Sequence, residues 1–352
     1  MDTDIERILV TGSQGLLGRY LAAWLTETFP AAQILGLGRS PGPSDAFTHS
    51  VHWGGRALPA PMPMALRLRR SQVTYVRVDL RNARALSGVV ADFRPQFVFH
   101  LASALRDDPP RALFESNVLG TMHLIEALAQ PKCGARMAVL VSSGGVYGQP
   151  ADAAPPLRED AACLPSDLYT TSKLAAEYAA RLLAAQHRVP VTCARVFNVI
   201  GPGQDERHVA GRFASQIAAV MRGEAPPAMT VDDLHTTRDF IDVRDAVRAL
   251  TVIAQRERAS PIVNVGSGRE TSIETVLNDF LRLADLQGRM AVQAIAQPPG
   301  AVRRQRADIS RLAGMGFRCK YSLRRSCQDL LTYYLTDVAD RARSPADATI
   351  RA

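Results

Sequence analysis

A glycine-rich turn near the start of the chain constrains the fold more than any other stretch. An apolar run at 5–10 leads into TGSQGLLG at 11–18, and a helical pattern follows from 19 to 29. In a dinucleotide site, the first glycine of such a turn permits tight bending, the second lets backbone approach a pyrophosphate, and the third allows close helix–strand packing. The pyrophosphate then binds free N–H groups at the helix N-terminus. The alternative is a plain strand–helix turn. The expected dinucleotide contacts are Gly12, Gln14, Gly15, Leu16, Leu17 and Gly18.

Strands and helices alternate through the first half of the chain. Further apolar runs occupy 33–37, 73–78, 97–101 and 137–141, with helical patterns at 83–92 and 109–130. This alternation predicts an α/β fold, a Rossmann-like doubly wound parallel sheet. Ligands bind at the carboxyl ends of such strands. We therefore expect the site to include the residues that follow the third, fourth and fifth strands, namely Asp79, Leu80, Leu101, Ala102, Ser103 and Ser143.

The end of the second strand predicts the choice of dinucleotide. Sites that select NAD usually place Asp or Glu here to bind the ribose 2′-hydroxyl, whereas arginine accommodates a 2′-phosphate. This chain has Gly38, Arg39 and Ser40. NADP(H) is therefore favoured over NAD(H), the alternative being that Arg39 is merely solvated.

Residues 41–71 are rich in proline and resemble no regular element. They include Pro41, Pro43, Pro59, Pro61 and Pro63. A structureless loop of this length is unusual in a compact domain. We predict an insertion of unknown function, with the basic stretch at 67–70 forming a solvated face.

Tyr169 and Lys173 form a Tyr-x-x-x-Lys pair at the start of a helical pattern. Residues four apart lie one turn apart on one helix face. A nearby cation favours the phenolate and lowers a phenol pKa. The pair is therefore a candidate proton donor and acceptor, although the spacing is common by chance.

Composition and charge exclude several classes of function. The 352 residues are 47% hydrophobic and 22% charged, without an apolar run long enough for a membrane span. The formal net charge of +8 is spread along the chain without a basic tract, which favours an anionic small molecule over nucleic acid. The N-terminus lacks signal-peptide features. Five dispersed cysteines indicate reduced thiols, not a disulfide frame or a metal site. We expect a cytoplasmic protein without a metal.

Taken together, the motifs resemble those of the extended short-chain dehydrogenase/reductase family of NAD(P)-dependent sugar-nucleotide epimerases, dehydratases and reductases. The resemblance covers roughly residues 5–335. Besides the glycine-rich turn and Asp79, it rests on HLAS at 100–103, NVLGT at 117–121, SSGGVYG at 142–148, YTTSK at 169–173, RVFNVIGPG at 195–203, RDFIDVRD at 238–245 and VNVGSG at 263–268.

The resemblance implies roles for individual residues. Ser143, Tyr169 and Lys173 correspond to the catalytic set, in which Tyr169 exchanges a proton with the substrate, and Lys173 depresses the Tyr169 pKa and binds the nicotinamide ribose. Asn117 is implied in cofactor binding. The implied contacts with a nucleotide-diphosphate sugar are Ser143, Gly144, Asn198, Arg212, Arg238 and Arg303. A departure at 298–301, where relatives carry Arg-Pro-Gly and an acid, leaves the nucleotide open, with Arg303 or Arg304 as substitutes.

The reaction is narrowed by the residues after Ser143. Dehydratases of the family place an acid or an acid pair there, whereas this chain has Gly144 and Gly145. Two reactions need only the Ser–Tyr–Lys set, reduction of a 4-keto sugar and epimerisation through a transient ketone. The motifs look most like those of GDP-4-keto-6-deoxymannose reductases. The hypothesis is an NADP(H)-dependent 4-ketoreductase, with an NAD-dependent 4-epimerase and a non-catalytic dinucleotide sensor as alternatives.

The expected organisation has two lobes and a tail. Residues 1–195 with 236–265 form the dinucleotide-binding domain, 196–235 with 266–340 form a smaller C-terminal α/β substrate lobe, and 341–352 form a disordered tail. Thr271 is the expected cap of a helix, with Glu274 completing a capping box. The family implies a homodimer through a four-helix bundle of the helices at 109–130 and 168–187. Their surplus apolar positions include Leu113, Leu124, Leu128, Tyr178 and Leu182.

Overall fold

Seven parallel strands form the central sheet of the computed structural model, which describes residues 5–68, 72–149, 156–256, 260–295 and 303–343. The strands of the chain are Arg7–Thr11 (β1), Gln33–Gly38 (β2), Ala46–Trp53 (β3), Arg56–Pro61 (β4), Thr74–Arg77 (β5), Phe97–His100 (β6), Met137–Ser143 (β7), Val191–Val196 (β8), Asn198–Ile200 (β9), Ala228–Val231 (β10), Thr237–Arg238 (β11), Phe240–Asp242 (β12), Ile262–Val265 (β13), Thr271–Ser272 (β14) and Ala291–Ala294 (β15). The order across the central sheet is β13-β8-β7-β6-β1-β2-β5. The predicted doubly wound parallel sheet is confirmed.

Helices cover both faces of this sheet. Their bounds are Leu16–Thr28 (α1), Met64–Arg67 (α2), Ala83–Phe93 (α3), Pro110–Phe114 (α4), Gly120–Leu128 (α5), Leu168–His187 (α6), Val209–Met221 (α7), Val243–Ala254 (α8), Ile273–Leu283 (α9), Ser310–Gly314 (α10), Leu323–Tyr333 (α11) and Ala339–Arg343 (α12). Glu115–Leu119 is a π-helical turn between α4 and α5, and Tyr334–Val338 is another between α11 and α12. The predicted helix at 109–130 is therefore α4 and α5 joined through a π turn.

Alternating side chains of each central strand supply two apolar cores. Ile8 and Val10 of β1 belong to one buried cluster, and Leu9 belongs to the other. Successive side chains of a strand point to opposite faces, so a strand buried on both faces is apolar throughout. The cluster that contains Ile8 continues without a break to Phe213 of α7 and Phe280 of α9. The division into two lobes remains a prediction.

Side-chain caps fix the starts of several helices. Asp167 accepts a hydrogen bond from the backbone N–H of Thr170 and so begins α6. Ser272 accepts from the N–H of Thr275 at the start of α9. The prediction that Thr271 caps this helix is therefore wrong by one residue, and the residue three positions after the cap is Thr275 instead of Glu274.

The segment at 41–71 is not a structureless loop, and the prediction is wrong for most of it. Strands β3 and β4 form an antiparallel hairpin, and α2 follows, whereas residues 69–71 lie outside the described residues. The prolines do not prevent pairing, because proline is compatible with an edge strand. Phe47 and Val51 of the hairpin are buried in the first apolar core. Arg67 donates from Nε to the carbonyl of Met62, so it is not fully solvated.

The hairpin is anchored on both the N-terminal and the C-terminal halves of the chain. Arg19 of α1 donates to the carbonyl of Ser44 at 3.0 Å. On the other side, His49 Nε2 lies 2.7 Å from the carbonyl oxygen of Gly203, and the Tyr333 hydroxyl donates to the carbonyl of Pro61 at 2.9 Å. The hairpin therefore bridges α1 and the C-terminal helices.

The last helix extends further along the chain than the sequence predicts. Residues 341–343 belong to α12, so the predicted disorder is wrong there, and 344–352 lie outside the described residues. None of the helices in the described ranges is long and apolar enough to cross a membrane. Among the same residues, no group of three or more His, Cys, Asp or Glu side chains is arranged to hold a metal ion.

Candidate functional site

The glycine-rich turn is built by close backbone contacts between β1, α1 and the loop after β6. Gly12 has a φ of 69°, and a Cβ atom on it would lie 2.6 Å from the backbone nitrogen of Ala102. A Cβ atom on Gly18 would lie 2.2 Å from the carbonyl oxygen of Gly12. Only glycine fits either position without backbone movement. These contacts agree with the turning and packing functions predicted for Gly12 and Gly18.

The second glycine of the turn, Gly15, has free space at its Cβ position, whereas Gly12 and Gly18 do not. A Cβ atom on Gly15 would meet nothing nearer than the Gly12 carbonyl oxygen at 3.5 Å. Gly15 is the N-cap of α1 and supplies no side-chain cap, so the helix begins at Leu16 with its first N–H groups unsatisfied by a cap. Such N–H groups, with the helix dipole, bind anionic groups such as a pyrophosphate.

Gln14 provides an independent sign that this turn binds a polar ligand. Its side chain is 5% exposed, and its Oε1 atom is buried without a hydrogen-bond partner among the described residues. It lines a pocket of about 500 Å³ together with Ser40, Ser44 and Thr48. A buried unpaired amide oxygen is costly unless a ligand or water satisfies it. The residues of this turn therefore fit a bound dinucleotide.

The end of β2 presents the expected positive charge and leaves little space for an acid. Arg39 is exposed, whereas Gly38 is crowded, because a Cβ atom on it would lie 3.0 Å from the Tyr75 hydroxyl oxygen. The Tyr75 hydroxyl donates to the Ser40 carbonyl at 2.9 Å and so fixes the loop. A carboxylate side chain at position 38 would have to displace Tyr75.

Asp79 lies after β5 and already has a partner within the chain. The Arg81 guanidinium donates to both carboxylate oxygens of Asp79, with a shortest distance of 2.7 Å to Oδ2, and this hydrogen bonding lowers the pKa of Asp79. Leu80 is buried and its carbonyl oxygen lies 2.9 Å from Nδ1 of His123. Beside them is an open pocket of about 1050 Å³ lined by Asp79, Arg81 and Leu119. Contact of Asp79, Leu80, Leu101 and Ala102 with the cofactor remains a prediction.

Asn117 is a buried clamp beneath the loop that follows β6. Its Oδ1 atom accepts from the backbone N–H of Ala104 at 2.8 Å and from the Ser103 hydroxyl at 3.0 Å. Its Nδ2 atom donates to the Ser172 hydroxyl at 2.9 Å. Asn117 thus ties the loop to α6 from within the π-helical turn, a feature frequent at functional sites. Direct contact of Asn117 with the cofactor remains a prediction.

Ser143, Tyr169 and Lys173 lie on neighbouring elements at the carboxyl end of the sheet. Ser143 ends β7, and its Oγ atom accepts from the Gly145 N–H at 3.0 Å. Tyr169 and Lys173 lie one turn apart at the start of α6. The two segments touch, because a Cβ atom on Gly145 would lie 2.8 Å from Cγ2 of Thr170. The predicted catalytic residues are therefore close neighbours in the fold.

The charge environment of the Tyr–Lys pair differs from the prediction. Burial raises the pKa of Tyr169, and Arg106 opposes that rise. Burial lowers the pKa of Lys173 to about 8, with Glu177 and Cys193 opposing. The expectation that Lys173 depresses the Tyr169 pKa is wrong for this structure, because helical spacing carries no information about burial. Burial and Lys173 instead lower the pKa of His100 to about 3.

Arg106 is a site residue that the sequence analysis missed. It lies in the loop after β6, with its guanidinium carbon 5.2 Å from the ring centroid of Tyr169. Its Nε atom donates to Asp167, the N-cap of α6, at 2.8 Å. The available signal was a basic residue just beyond the carboxyl end of a central strand, where ligands bind.

A buried ion pair links the strand that ends at Ser143 with the helix that carries Tyr169 and Lys173. Arg195 of β8 and Glu177 of α6 approach to 2.8 Å, and both side chains are buried. The Ser142 hydroxyl donates to Glu177, and the Arg195 guanidinium lies over the Tyr147 ring. This network connects β7, β8 and α6. A charged residue inside the buried strand at 191–196 was the signal for it.

Asn198 is engaged with the chain on the predicted substrate side. Its Nδ2 atom donates to the Asp239 carbonyl at 3.2 Å and to Oε1 of Gln305 at 3.3 Å. Gln305, which the sequence analysis missed, is buried and donates to the Gly144 carbonyl at 2.9 Å. The two amides link the residue after Ser143 to the C-terminal half.

The arginines predicted to bind phosphate have different surroundings. Arg212 pairs with Asp232 at 2.5 Å, and Arg304 pairs with Glu270 at 2.7 Å. Burial lowers the pKa of Arg238, which donates to the Thr237 carbonyl. Arg303 is exposed, and its backbone N–H donates to Oε1 of Gln149. The departure at 298–301 lies outside the described residues.

Gly144 and Gly145 are tightly packed where family dehydratases place acids. A Cβ atom on Gly144 would lie 2.9 Å from the Phe197 ring, and one on Gly145 would lie 2.8 Å from Thr170. Real Cβ atoms essentially never come so close to neighbouring atoms. The packing therefore excludes an acidic side chain here unless Phe197 or Thr170 moves.

The apolar positions of the two long helical segments divide into two groups. Leu113, Leu124 and Leu128 are buried within the subunit, so the expectation that they are surplus is wrong. Tyr178 and Leu182 of α6 are 55% and 71% exposed. Phe114 and Leu119 are exposed on the preceding segment. These four side chains and Leu168, at the start of α6, are the remaining large apolar candidates for an interface among the described residues of the two segments.

Comparison with known proteins places this site in context. Residues 8–266 match the model of the NAD dependent epimerase/dehydratase family. The chain is 29% identical over 334 residues to GDP-6-deoxy-D-mannose reductase of Pseudomonas aeruginosa, covering 93% of this chain and 96% of the relative. It is 26% identical over 368 residues to dTDP-L-rhamnose 4-epimerase of Burkholderia thailandensis, covering 94% and 95%. The structure of RMD from Pseudomonas aeruginosa complexed with NADPH matches with a TM-score of 0.74 at 28% identity, covering 94% of this chain and 99% of that one.

Proposed function

Because this chain belongs to the NAD dependent epimerase/dehydratase family, we propose that it reduces the ketone of a nucleotide-linked 4-keto-6-deoxy sugar with NADPH. Relatives with reductase and with epimerase activity both match over nearly the whole chain. An NAD(P)-dependent enzyme of this extended type is therefore established, whereas the reaction and the preferred dinucleotide are the proposal.

The packing of Gly144 and Gly145 carries the proposal. Elimination of water needs an acid for the leaving hydroxyl and a base for the ring proton. The two positions hold no side chain, and the contacts with Phe197 and Thr170 leave no space for one unless either of those side chains moves. Proton exchange at a single oxygen, as in ketone reduction, needs only a hydroxyl donor, and Tyr169 provides it.

Each catalytic residue has a defined task in this reaction. The bound dinucleotide supplies the hydride that C4 receives. Tyr169 donates its phenolic proton to the C4 oxygen, and Ser143 donates a hydrogen bond to the same oxygen. Lys173, one turn along α6, binds the ribose next to the nicotinamide and returns a proton towards Tyr169.

The end of β2 supports NADP(H) over NAD(H). A carboxylate for the ribose 2′-hydroxyl is missing at Gly38, and the Tyr75 hydroxyl crowds that position. The exposed guanidinium of Arg39 is suited to a 2′-phosphate. A net reduction consumes NADPH, which agrees with this choice.

The sugar nucleotide is assigned to the C-terminal side of the site. Asn198, Arg212, Arg238 and Arg303 are the proposed contacts with its diphosphate, because guanidinium groups bind phosphate oxygens in pairs. Arg212 would exchange Asp232 for the ligand. We also propose that two copies of the chain associate through Tyr178, Leu182, Phe114 and Leu119.

An NAD-dependent 4-epimerase is the second candidate, and the Burkholderia thailandensis relative supports it. It uses the same Ser143, Tyr169 and Lys173 but returns the hydride to the opposite face of C4. The two candidates differ in stoichiometry. A reductase consumes one NADPH per product, whereas an epimerase shows no net change in dinucleotide.

The test supplies the purified protein with NADPH and GDP- or dTDP-linked 4-keto-6-deoxyhexose. We expect loss of absorbance at 340 nm matched by one equivalent of reduced sugar in the NMR spectrum. UDP-glucose with NAD⁺ is the parallel reaction. If the C4 epimers interconvert in the UDP-glucose reaction and no NADPH is consumed in the 4-keto sugar reaction, the protein is an epimerase and the reductase proposal is wrong.

A further inference from the structure

We propose that Arg106 is a positioning residue that holds Tyr169 in its reactive orientation and supplies a cation against its ring. The inference rests on the proposed function, because it assigns Tyr169 the task of proton donor. It adds a residue from outside the Ser–Tyr–Lys set and from a different element of the fold.

The geometry joins two segments that are far apart in the sequence. Arg106 lies in the loop after β6, whereas Asp167 and Tyr169 lie at the start of α6. The Arg106 Nε atom donates to Oδ2 of Asp167 at 2.8 Å, and its guanidinium carbon lies 5.2 Å from the Tyr169 ring centroid. A guanidinium over an aromatic face at this distance is a cation–π contact. Arg106 therefore touches both the cap of the helix and the proton donor.

Asp167 transmits this contact to the first turn of α6. Its Oδ1 atom accepts from the Thr170 N–H at 2.7 Å, and the Thr170 hydroxyl donates back to Asp167. The cap is thus held by Thr170 on one side and by Arg106 on the other. Because Tyr169 lies inside this turn, its ring is fixed by the cap and by the guanidinium together.

The charged groups around the phenol act in opposite directions. Burial has the largest effect and raises the pKa of Tyr169, and Asp167 at the start of α6 raises it further. Arg106 and a hydrogen bond with Ser103, both in the loop after β6, lower it. Lys173 lies on the next turn of α6. Arg106 is thus the cation that opposes the effect of burial on the phenol.

The decisive measurement is the titration of Tyr169 by NMR with ¹³Cζ-labelled tyrosine in the free protein. Loss of one signal in Tyr169→Phe identifies the residue among the eight tyrosines. In Arg106→Gln, we expect the pKa of Tyr169 to rise, because a cation is lost and Asp167 remains. Arg106→Lys should restore part of the difference.

Arg325→Gln is the matched control. Arg325 also donates from Nε to an aspartate at 2.8 Å, and its side chain is 61% exposed, as that of Arg106 is. It lies on α11, so its removal subtracts the same charge from the protein and should leave the Tyr169 titration unchanged. A shift of equal size in both variants would make the effect one of net charge and would overturn the inference.

Turnover gives the second readout. Arg106→Gln should lower kcat for the ketone by about tenfold, less than the loss of the proton donor itself, with KM changed less than kcat. The basic limb of the pH–rate profile should move to higher pH, because the phenol stays protonated longer. An unchanged Tyr169 pKa in Arg106→Gln would reduce Arg106 to a structural contact.

The two proposals fail separately. The NMR titration needs no substrate, so it decides the role of Arg106 even if the protein reduces no 4-keto sugar. Conversely, reduction of the sugar with an unchanged Tyr169 titration in both Arg106 variants would keep the function and remove this inference. If Arg106→Gln does not fold, Arg106→Lys provides the comparison, since it keeps the charge but not the fork-shaped contact with Asp167.

Discussion

The glycine-rich turn and the arginines of the C-terminal half are built in different ways. At the turn, backbone packs on backbone, and a Cβ atom added to Gly18 would lie only 2.2 Å from the carbonyl oxygen of Gly12. In the C-terminal half, Arg212 and Arg304 are held by Asp232 and Glu270. The first surface is formed before any ligand arrives. Under the proposed function, the second must give up protein carboxylates to take a phosphate, so its affinity for phosphate would be a difference between two ion pairs.

This contrast explains which substitutions should matter most. The backbone of the glycine-rich turn has no alternative arrangement, so adding even a small side chain to one of its glycines is enough to disrupt it. An ion-paired surface has two arrangements, and a substitution shifts the balance between them. Substitutions at the proposed catalytic residues Ser143, Tyr169 and Lys173 should instead change the rate of turnover most.

The largest effect is expected for Tyr169→Phe. The ring and its contact with Arg106 are kept, but the proton is lost, so turnover should fall by about 10²–10⁴-fold. Binding of NADPH, followed by fluorescence titration, should be almost unchanged. Parental turnover of a nucleotide-linked 4-keto sugar by this variant would show that Tyr169 is not the proton donor.

Gly18→Ala should weaken NADPH binding by about 10–100-fold, because overpacking against fixed backbone costs about 1–3 kcal/mol. Gly88→Ala is the control, since Gly88 lies in α3 with nothing within 4 Å of its Cβ position. Fluorescence titration measures both. Equal NADPH affinity in the two variants would show that the glycine-rich turn does not bind the dinucleotide.

Arg39→Asp should reverse the preference between the dinucleotides. The aspartate would repel a 2′-phosphate and accept a hydrogen bond from a 2′-hydroxyl. We expect NADPH affinity to fall by about tenfold, the loss of one charge-assisted contact. Competition between NADPH and NADH for the parent and the variant measures the change. No preference in the parent protein would contradict the argument from Gly38 and Arg39.

The smallest effect is expected at Asp232. Asp232→Asn releases Arg212 and should tighten binding of the sugar nucleotide by about twofold to fivefold, because exposed ion pairs are worth about 0.2–1 kcal/mol. Arg212→Gln should weaken it. Isothermal titration calorimetry with the nucleotide diphosphate measures the affinity of both variants and so tests both expected changes. Weaker binding in both variants would make the pair a structural brace instead of a ligand site.

Local sequence was sufficient for the glycine-rich turn, for most strands of the first half and for the placement of Ser143, Tyr169 and Lys173 on adjoining elements, whereas their catalytic roles stay a prediction. Each depends on neighbours within a few residues, such as the glycines of one turn or the period of one helix. The parallel sheet then follows, because alternating strands and helices have few other ways to pack.

Sequence was insufficient wherever two distant segments meet. The partners of Arg106, Arg195 and Arg212 lie 61, 18 and 20 residues away. The hairpin at 46–61 was missed because its prolines lie at edge positions and hide the strand pattern. The predicted shift of the Tyr169 pKa was wrong in direction. Burial depends on the whole fold, whereas helical spacing depends only on the local sequence.

The contact between Gly144 and Phe197 also restricts how this protein could change its reaction over evolution. Gly144→Asp alone would bring the new side chain against the Phe197 ring, so the intermediate would be damaged before an acid became useful. A smaller residue at position 197 would have to come first and would leave a cavity beside Tyr147. Each change made alone is therefore expected to disturb the packing, so an acid at position 144 requires both changes together.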